Sequence, residues 1–183
     1  MRTLTEQLTQ YAAYHRDRRN IATHFVGIPM IVLALAILLS RPSWTFGALP
    51  VAVSPAWLLF AGATVYYIVL DVPLGLAMAA VSAACVAVGG WLALASLHVW
   101  LGTGIGLFVV GWVFQFVGHL AYEHKKPAFA DDLMGLLIGP LFVLAEILFG
   151  FGWRRTLREA IESGAGPVRM NAPRHASGQH RPG

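Results

Sequence analysis

Hydrophobic residues along the chain fall into long runs that are separated by short polar breaks. From residue 42 to residue 122 the only Asp, Glu, Lys or Arg is Asp71. Because a bilayer crossing needs about 20 apolar residues, this stretch has room for three crossings. The pattern predicts an all-α, polytopic membrane bundle with spans at residues 23–39, 55–70, 73–97 and 106–118.

Apolar and aromatic positions also recur at helical spacing before the first span, with polar residues between them. The spacing predicts an N-terminal amphipathic helix over residues 3–16 that lies on the membrane surface as a lid or an anchor. The polar run at residues 16–20 then separates this helix from the first span. The recurring positions are Leu4, Leu8, Tyr11 and His15.

A fifth apolar run covers residues 133–153 and either crosses the membrane or re-enters it. Gly139-Pro140 in its middle permits a re-entrant hairpin or a kinked helix. A full crossing would place the arginines that follow opposite the basic N-terminal segment, against the positive-inside tendency. We therefore favour the re-entrant form, and we expect the face with Arg18 and Arg19 to be cytoplasmic.

Composition agrees with lipid as the surrounding solvent. The chain is 57% hydrophobic and 12% charged, against roughly a quarter charged in soluble domains. The net charge of +4 fits anionic lipid headgroups better than nucleic acid. The lone Cys85 excludes an internal disulfide. We predict one membrane-embedded domain over residues 1–162, followed by a disordered Gly-, Pro- and Arg-rich tail at 163–183.

Counting the spans places three histidines on one side of the membrane. Four crossings return the chain after residue 118 to the side of its N-terminus, so His15, His24 and His119 share a face. On one continuous helix His15 and His24 would lie on opposite sides, about 13.5 Å apart along the axis. A bend within the polar run at 16–20 is therefore needed for them to meet.

A carboxylate joins these histidines at helical spacing. Gln115, His119 and Glu123 are four residues apart, which places them on one stripe of a helix. Two or three histidines with one carboxylate and no thiolate suit iron(II), zinc or manganese. The alternative is structural: the histidines as interfacial residues and Glu123 paired with Lys126 or Arg19. From the residues alone, the metal site and the structural interpretation are about equally supported.

Other polar residues near this face also have two interpretations. Glu146 lies among apolar residues and either supports the metal ligands or forms a buried ion pair. Asn20 either positions a ligand or caps a helix. Tyr14 fits an interfacial aromatic belt first and a substrate contact second. His98 falls on the opposite side of the membrane.

An ordered set of residues resembles the membrane-bound, iron(II)-dependent 2-hydroxy fatty acid dioxygenases, the Mpo-type family. The resemblance covers most of residues 5–150, and the spacing of its His and Glu residues is specific. The matching residues are Tyr14-His15, Asn20, His24, Gly27 and Pro29, then Gln115-x-x-Gly118-His119-x-x-x-Glu123-x-x-x-Pro127-Ala128, then Gly139-Pro140 with Glu146.

The resemblance implies α-oxidation, in which O2 converts a 2-hydroxy fatty acid into a fatty acid one carbon shorter. It implies an Fe(2+) cofactor held by the three histidines, with Glu123 as a ligand or a supporting carboxylate. We expect Tyr14 and Glu146 to support the ligands. The motif does not identify the group that holds the substrate, for which the candidates are Arg18, Arg19, Asn20, Gln115 and Lys125.

Two other classes of protein are also considered. A non-catalytic haem or quinone carrier would need two histidines opposed across the bundle. A proton-coupled transporter that uses Glu123 and Glu146 would need polar groups along a path through the membrane, whereas here they cluster at one end. The expected partners are a 2-hydroxy fatty acid, O2 and membrane lipids, with no nucleic acid.

Overall fold

The computed structural model describes residues 2–45, 47, 52–123 and 134–169, and this part of the chain is helical. The helix Leu97–Val117 continues directly into a π-helix at Gly118–Glu123. The α-helices are α1 Leu4–Tyr14, α2 Arg18–Leu38, α3 Pro55–Leu70, α4 Val72–Leu92, α5 Leu97–Val117, α6 Met134–Gly150 and α7 Arg155–Ala165.

Three of the described helices are long and apolar enough to cross a membrane. They are α2, α4 and the continuous helix formed by α5 and the π-helix, whereas α3 and α6 are apolar but shorter. Large apolar side chains such as Leu58 and Val69 are exposed on α3, as expected of a surface that faces lipid. The all-α prediction is confirmed for the described residues, with three candidate membrane-spanning helices, and the number of spans stays a prediction.

The predicted starts of the first span, at residue 23, and of the fourth span, at residue 106, are wrong. α2 begins at Arg18, because the side chain of Asp17 accepts a hydrogen bond from the backbone N–H of Arg19 and caps the helix. α5 begins at Leu97, where Ser96 provides the cap. The residues between the predicted third and fourth spans, 98–105, are therefore helical. The bend between α1 and α2 therefore occupies residues 15–17 and is shorter than the polar run suggested.

α2 and α5 pack closely along their length. A Cβ atom added to Gly27 would lie 2.7 Å from the carbonyl oxygen of Gly111 and 2.6 Å from the side-chain nitrogen of Gln115. Because only glycine avoids these contacts, Gly27 allows the two backbones to approach each other. This approach brings His24 on α2 near His119, which follows α5.

α1 packs against α6 and α7 at one end of the bundle. Leu8, Tyr11, Phe142, Leu157 and Ile161 are members of one buried apolar cluster. One face of α1 is thus covered by protein, and its placement on a membrane surface stays a prediction. α6 is a continuous helix that contains Pro140, so within the described residues this segment is one helix and not a hairpin.

The beginning of the predicted tail is folded. α7 continues past Ser163 to Ala165, and Arg169 makes hydrogen bonds to the backbone between α1 and α2. Residues 163–169 therefore belong to the ordered part, which corrects the predicted boundary at 163. The rest of the predicted tail, 170–183, lies outside the described residues.

Candidate metal centre

Three histidines from separate elements converge at one buried point. His15 follows α1, His24 lies in the second turn of α2, and His119 belongs to the π-helix. They are 1%, 1% and 2% exposed respectively. One ring nitrogen from each can be chosen so that the three atoms lie within 4.8 Å of one another. The structure thus brings together all three histidines that segment counting placed on one face.

Backbone carbonyls orient two of the three rings. His15 Nδ1 donates to the carbonyl oxygen of Tyr11 at 2.7 Å, and His24 Nδ1 donates to that of Asn20 at 2.9 Å. A neutral imidazole that donates from Nδ1 has a bare lone pair on Nε2. The Nε2 atoms of both rings are therefore available as metal ligands, and that of His15 has no hydrogen-bond partner among the described residues.

The donor set fits a divalent transition metal. His24 Nε2 and His119 Nε2 are 3.2 Å apart, close enough to share an ion at about 2.1 Å from each. Burial first, and then the neighbouring His24, holds the pKa of His15 well below its usual range, so this ring is neutral at pH 7 as a ligand must be. Three imidazoles without thiolate suit iron, zinc or copper.

The same distance argues against a bis-histidine haem site. Axial ligands on opposite faces of a haem would be separated by about 4 Å, twice a metal–nitrogen bond. The two facing nitrogens are closer than this, and the ring of His15 lies 4.4 Å from that of His24 between centroids. The cluster leaves no room for a porphyrin between its rings.

The carboxylate of Glu123 faces the bend between α1 and α2. Its Oε1 accepts hydrogen bonds from the backbone N–H groups of Arg16 and Asp17, both at 2.5 Å. Its Oε2 pairs with Arg169 at 2.7 Å. The predicted stripe assumed an α-helix, whereas His119 and Glu123 lie on a π-helix, and these hydrogen bonds hold the Glu123 carboxylate at the bend. The three histidines form the candidate ion site, and Glu123 is not part of it.

An apolar cavity of about 290 Å³ extends from the histidines. Along α2 it runs from His24 past Ile28 to Leu35, and along α5 from His119 past Trp112 to Phe108. Gln115 also lines the cavity, and its Nε2 has no hydrogen-bond partner among the described residues. The cavity therefore has a polar end at the histidines and an apolar end deep in the bundle.

The other predicted substrate contacts have different surroundings. Arg19 is ion-paired with Asp17 at 2.9 Å and lies over the ring of Tyr122, away from the cavity wall. Asn20 is fully buried, and its side-chain amide has no partner among the described residues. Lys125 lies outside the described residues.

Tyr11 has contacts that the sequence predictions did not assign. Its ring stacks on His15 at 4.3 Å between centroids, and its carbonyl orients the same histidine. Tyr14, the predicted supporting residue, lies beside Met134 in a separate small cavity. The available signal was the four-residue spacing from Tyr11 to His15, which Asn20 and His24 repeat.

Glu146 is half-buried on α6. Its carboxylate interacts electrostatically with Arg158 and Arg16. Its predicted role beside the metal ligands stays a prediction.

A histidine cluster at the polar end of an apolar cavity, within a bundle of apolar helices, defines a helical protein with a candidate metal centre and candidate membrane spans. The chain belongs to the Mpo1-like family, whose model, described as 2-hydroxy-palmitic acid dioxygenase Mpo1-like, matches residues 1–151. It is 32% identical over 162 residues to the 2-hydroxy-palmitic acid dioxygenase MPO1 of Saccharomyces cerevisiae, covering 87% of each chain. No solved structure matches it. The family predicted from the sequence is confirmed.

Proposed function

We propose that this protein is an iron-dependent dioxygenase that converts 2-hydroxy fatty acids into fatty acids one carbon shorter. The observation that supports this most directly is the convergence of three imidazoles at the polar end of an apolar cavity. Membership of the Mpo1-like family supports the reaction class.

In this reaction the bond between C1 and C2 of the substrate breaks. C1 leaves as carbon dioxide, and C2 is oxidised from an alcohol carbon to a carboxyl carbon. O2 accepts the four electrons released, and the atoms balance with one shortened acid, one carbon dioxide and one water. Iron(II) held by His15, His24 and His119 would supply the oxygen chemistry and act as a Lewis acid toward the substrate.

The protein's own contribution is to orient the ligands and to bind the substrate. The acyl tail occupies the apolar cavity, which from His24 to Leu35 extends about 16 Å along α2. Gln115 Nε2 donates a hydrogen bond to the carboxylate or hydroxyl of the head group, because it is buried in the cavity wall without another partner. Asn20 holds the ring of His24 through its carbonyl. A substrate role for Lys125 stays a prediction.

The site opens on the cytoplasmic side in our proposal, with four crossings and α6 confined to that side. The start of α6 lies beside α1 at Met134. Just past its other end, Arg154 pairs with Asp71 in the turn between α3 and α4 at 2.7 Å. Segment counting assigns both places to the side of the N-terminus. Both ends of α6 then share a face with Arg18 and Arg19, in agreement with the positive-inside tendency.

Anaerobic purification in detergent, elemental analysis and incubation with 2-hydroxypalmitate and O2 test this function. We expect bound iron and an acid with one carbon fewer. Metal-free protein after iron loading, or iron-loaded protein that releases no shortened acid, would contradict the proposal. A Soret band in the absorption spectrum would instead indicate the haem carrier.

A further inference from the structure

A short segment after α7 lies across the bend that contains His15. We call residues 166–169 the C-terminal strap. Gly166, at φ 81°, turns the chain out of α7, and its carbonyl accepts a hydrogen bond from Arg16 Nη1 at 2.5 Å. The backbone N–H of Arg169 donates to the carbonyl of Arg16 at 2.6 Å, and its carbonyl accepts from the N–H of Arg18 at 3.1 Å. The strap thus pairs with the bend through main-chain bonds.

The side chain of Arg169 reaches the same bend through Glu123. Its Nη2 lies 2.7 Å from Glu123 Oε2, and the Glu123 side chain is 0% exposed. The other carboxylate oxygen accepts from the N–H groups of Arg16 and Asp17. One buried carboxylate therefore links the strap, the π-helix and the bend.

This linkage is strong because charged groups make its hydrogen bonds. Hydrogen bonds of a carboxylate to a guanidinium or to backbone N–H groups are roughly twice as strong as neutral ones. Removing the guanidinium would take away the direct ion-pair partner of a buried carboxylate, which is costly. The bend would then shift or take up water, and His15, the residue before Arg16, would move with it.

We propose that Arg169 is a positioning residue for the metal centre, holding residues 16–18 through Glu123 so that His15 faces His24 and His119. This rests on the part of the proposed function in which the three histidines bind a divalent metal. Arg169 lies beyond residue 151, where the match to the family model ends.

Cobalt(II) titration of the full-length protein in detergent tests this role, because the visible spectrum of cobalt reports the ligand geometry. We expect Arg169→Ala to weaken cobalt binding about 10- to 100-fold, the range for residues that orient metal ligands, and to alter the spectrum. Arg169→Lys should restore most of the affinity and the spectrum, since one donor atom of Arg169 contacts Glu123. In a Glu123→Gln background, Arg169→Ala should have little further effect.

Arg158→Ala is the matched control. Arg158 also lies at the C-terminal end of the protein and forms an exposed pair with Glu162 on α7, so its loss changes the charge equally without touching the bend. Unchanged cobalt binding in Arg169→Ala, or an equal loss in both alanine variants, would overturn the proposal. Tighter binding in Arg169→Ala would also overturn it, because Arg169 would then keep Glu123 from the metal. Wild-type protein that binds no cobalt and no iron would refute the proposed function itself.

Discussion

The ring nitrogens of His15 and His24 that face away from the cluster both donate to a carbonyl four residues earlier. For His15 this acceptor is Tyr11, whose carbonyl lies in the last turn of α1, where no further helical N–H reaches it. The carbonyl left free at the end of α1 therefore orients the ring of His15. The side chain needs no separate carboxylate to set its tautomer.

The first prediction at the residue scale concerns His24. Changing His24 to Ala removes one of the two nitrogens that lie 3.2 Å apart, so we expect loss of both bound iron and turnover. Metal content and product formation are the measurements. His98→Ala is the control, because His98 is an exposed residue at the other end of α5 and should retain both. Normal iron content in His24→Ala would rule out His24 as a ligand.

At the scale of elements, two irregularities determine how the site is assembled. The bend at residues 15–17 lets α1 and α2 present their histidines to the same point. The π-helix at Gly118–Glu123 carries both His119, which faces the cluster, and Glu123, whose carboxylate faces the bend. Such π-helical turns are frequent at functional sites.

The cavity between α2 and α5 predicts a determinant of chain length. Leu35 lies at the end farthest from the histidines, so Leu35→Trp should shorten the space for the acyl tail. We expect kcat/KM for 2-hydroxypalmitate to fall about 10-fold or more, the scale of size selection in apolar pockets, while acids with shorter chains are retained. Competition assays between acids of different length measure this preference.

Val109→Trp provides the control, because it introduces the same large aromatic side chain outside the cavity. Val109 is 52% exposed on α5 and does not line the cavity. This variant should keep the wild-type preference. An unchanged preference in Leu35→Trp, or the same shift in both variants, would show that the tail does not extend to Leu35.

At the scale of the whole molecule, ion pairs connect the helices around the centre. Arg154 with Asp71 joins the end of α6 to the turn between α3 and α4, and Arg169 with Glu123 joins the C-terminal strap to the π-helix. Both pairs use a carboxylate that is mostly shielded from solvent, where charges interact more strongly than at a surface. The second pair lies beside the start of α2, where the carbonyl of Arg169 accepts a hydrogen bond from the N–H of Arg18.

Cysteine labelling tests the proposed topology. In a Cys85→Ser background, which removes the lone cysteine, new cysteines replace the exposed Ser43, between α2 and α3, and the exposed Ser163, on α7. A membrane-impermeant maleimide should label Ser43→Cys on intact cells and Ser163→Cys only after permeabilisation. Labelling of both on intact cells would mean that α6 crosses the membrane, and the unmodified background reports non-specific labelling.

Local patterns were sufficient to predict much of this protein. The scarcity of charge predicted a helical membrane protein, and segment counting placed His15, His24 and His119 on one face. The residues alone supported a metal site and a structural role equally, and the family resemblance favoured the metal site. These properties depend on hydropathy and helical period, which each stretch of the chain expresses by itself. Gln115 was predicted for the same reason, since it shares a helix face with His119.

Other features depend on residues that are far apart in the chain, and only the tertiary structure revealed them. Glu123 meets the N–H of Arg16 across 107 positions, and Arg169 completes that contact from the C-terminal end. The end of the cavity at Leu35 and Phe108 likewise arises from how α2 and α5 pack. A hydrophobic period shows which face of a helix is buried, but it does not show which other helix packs against that face.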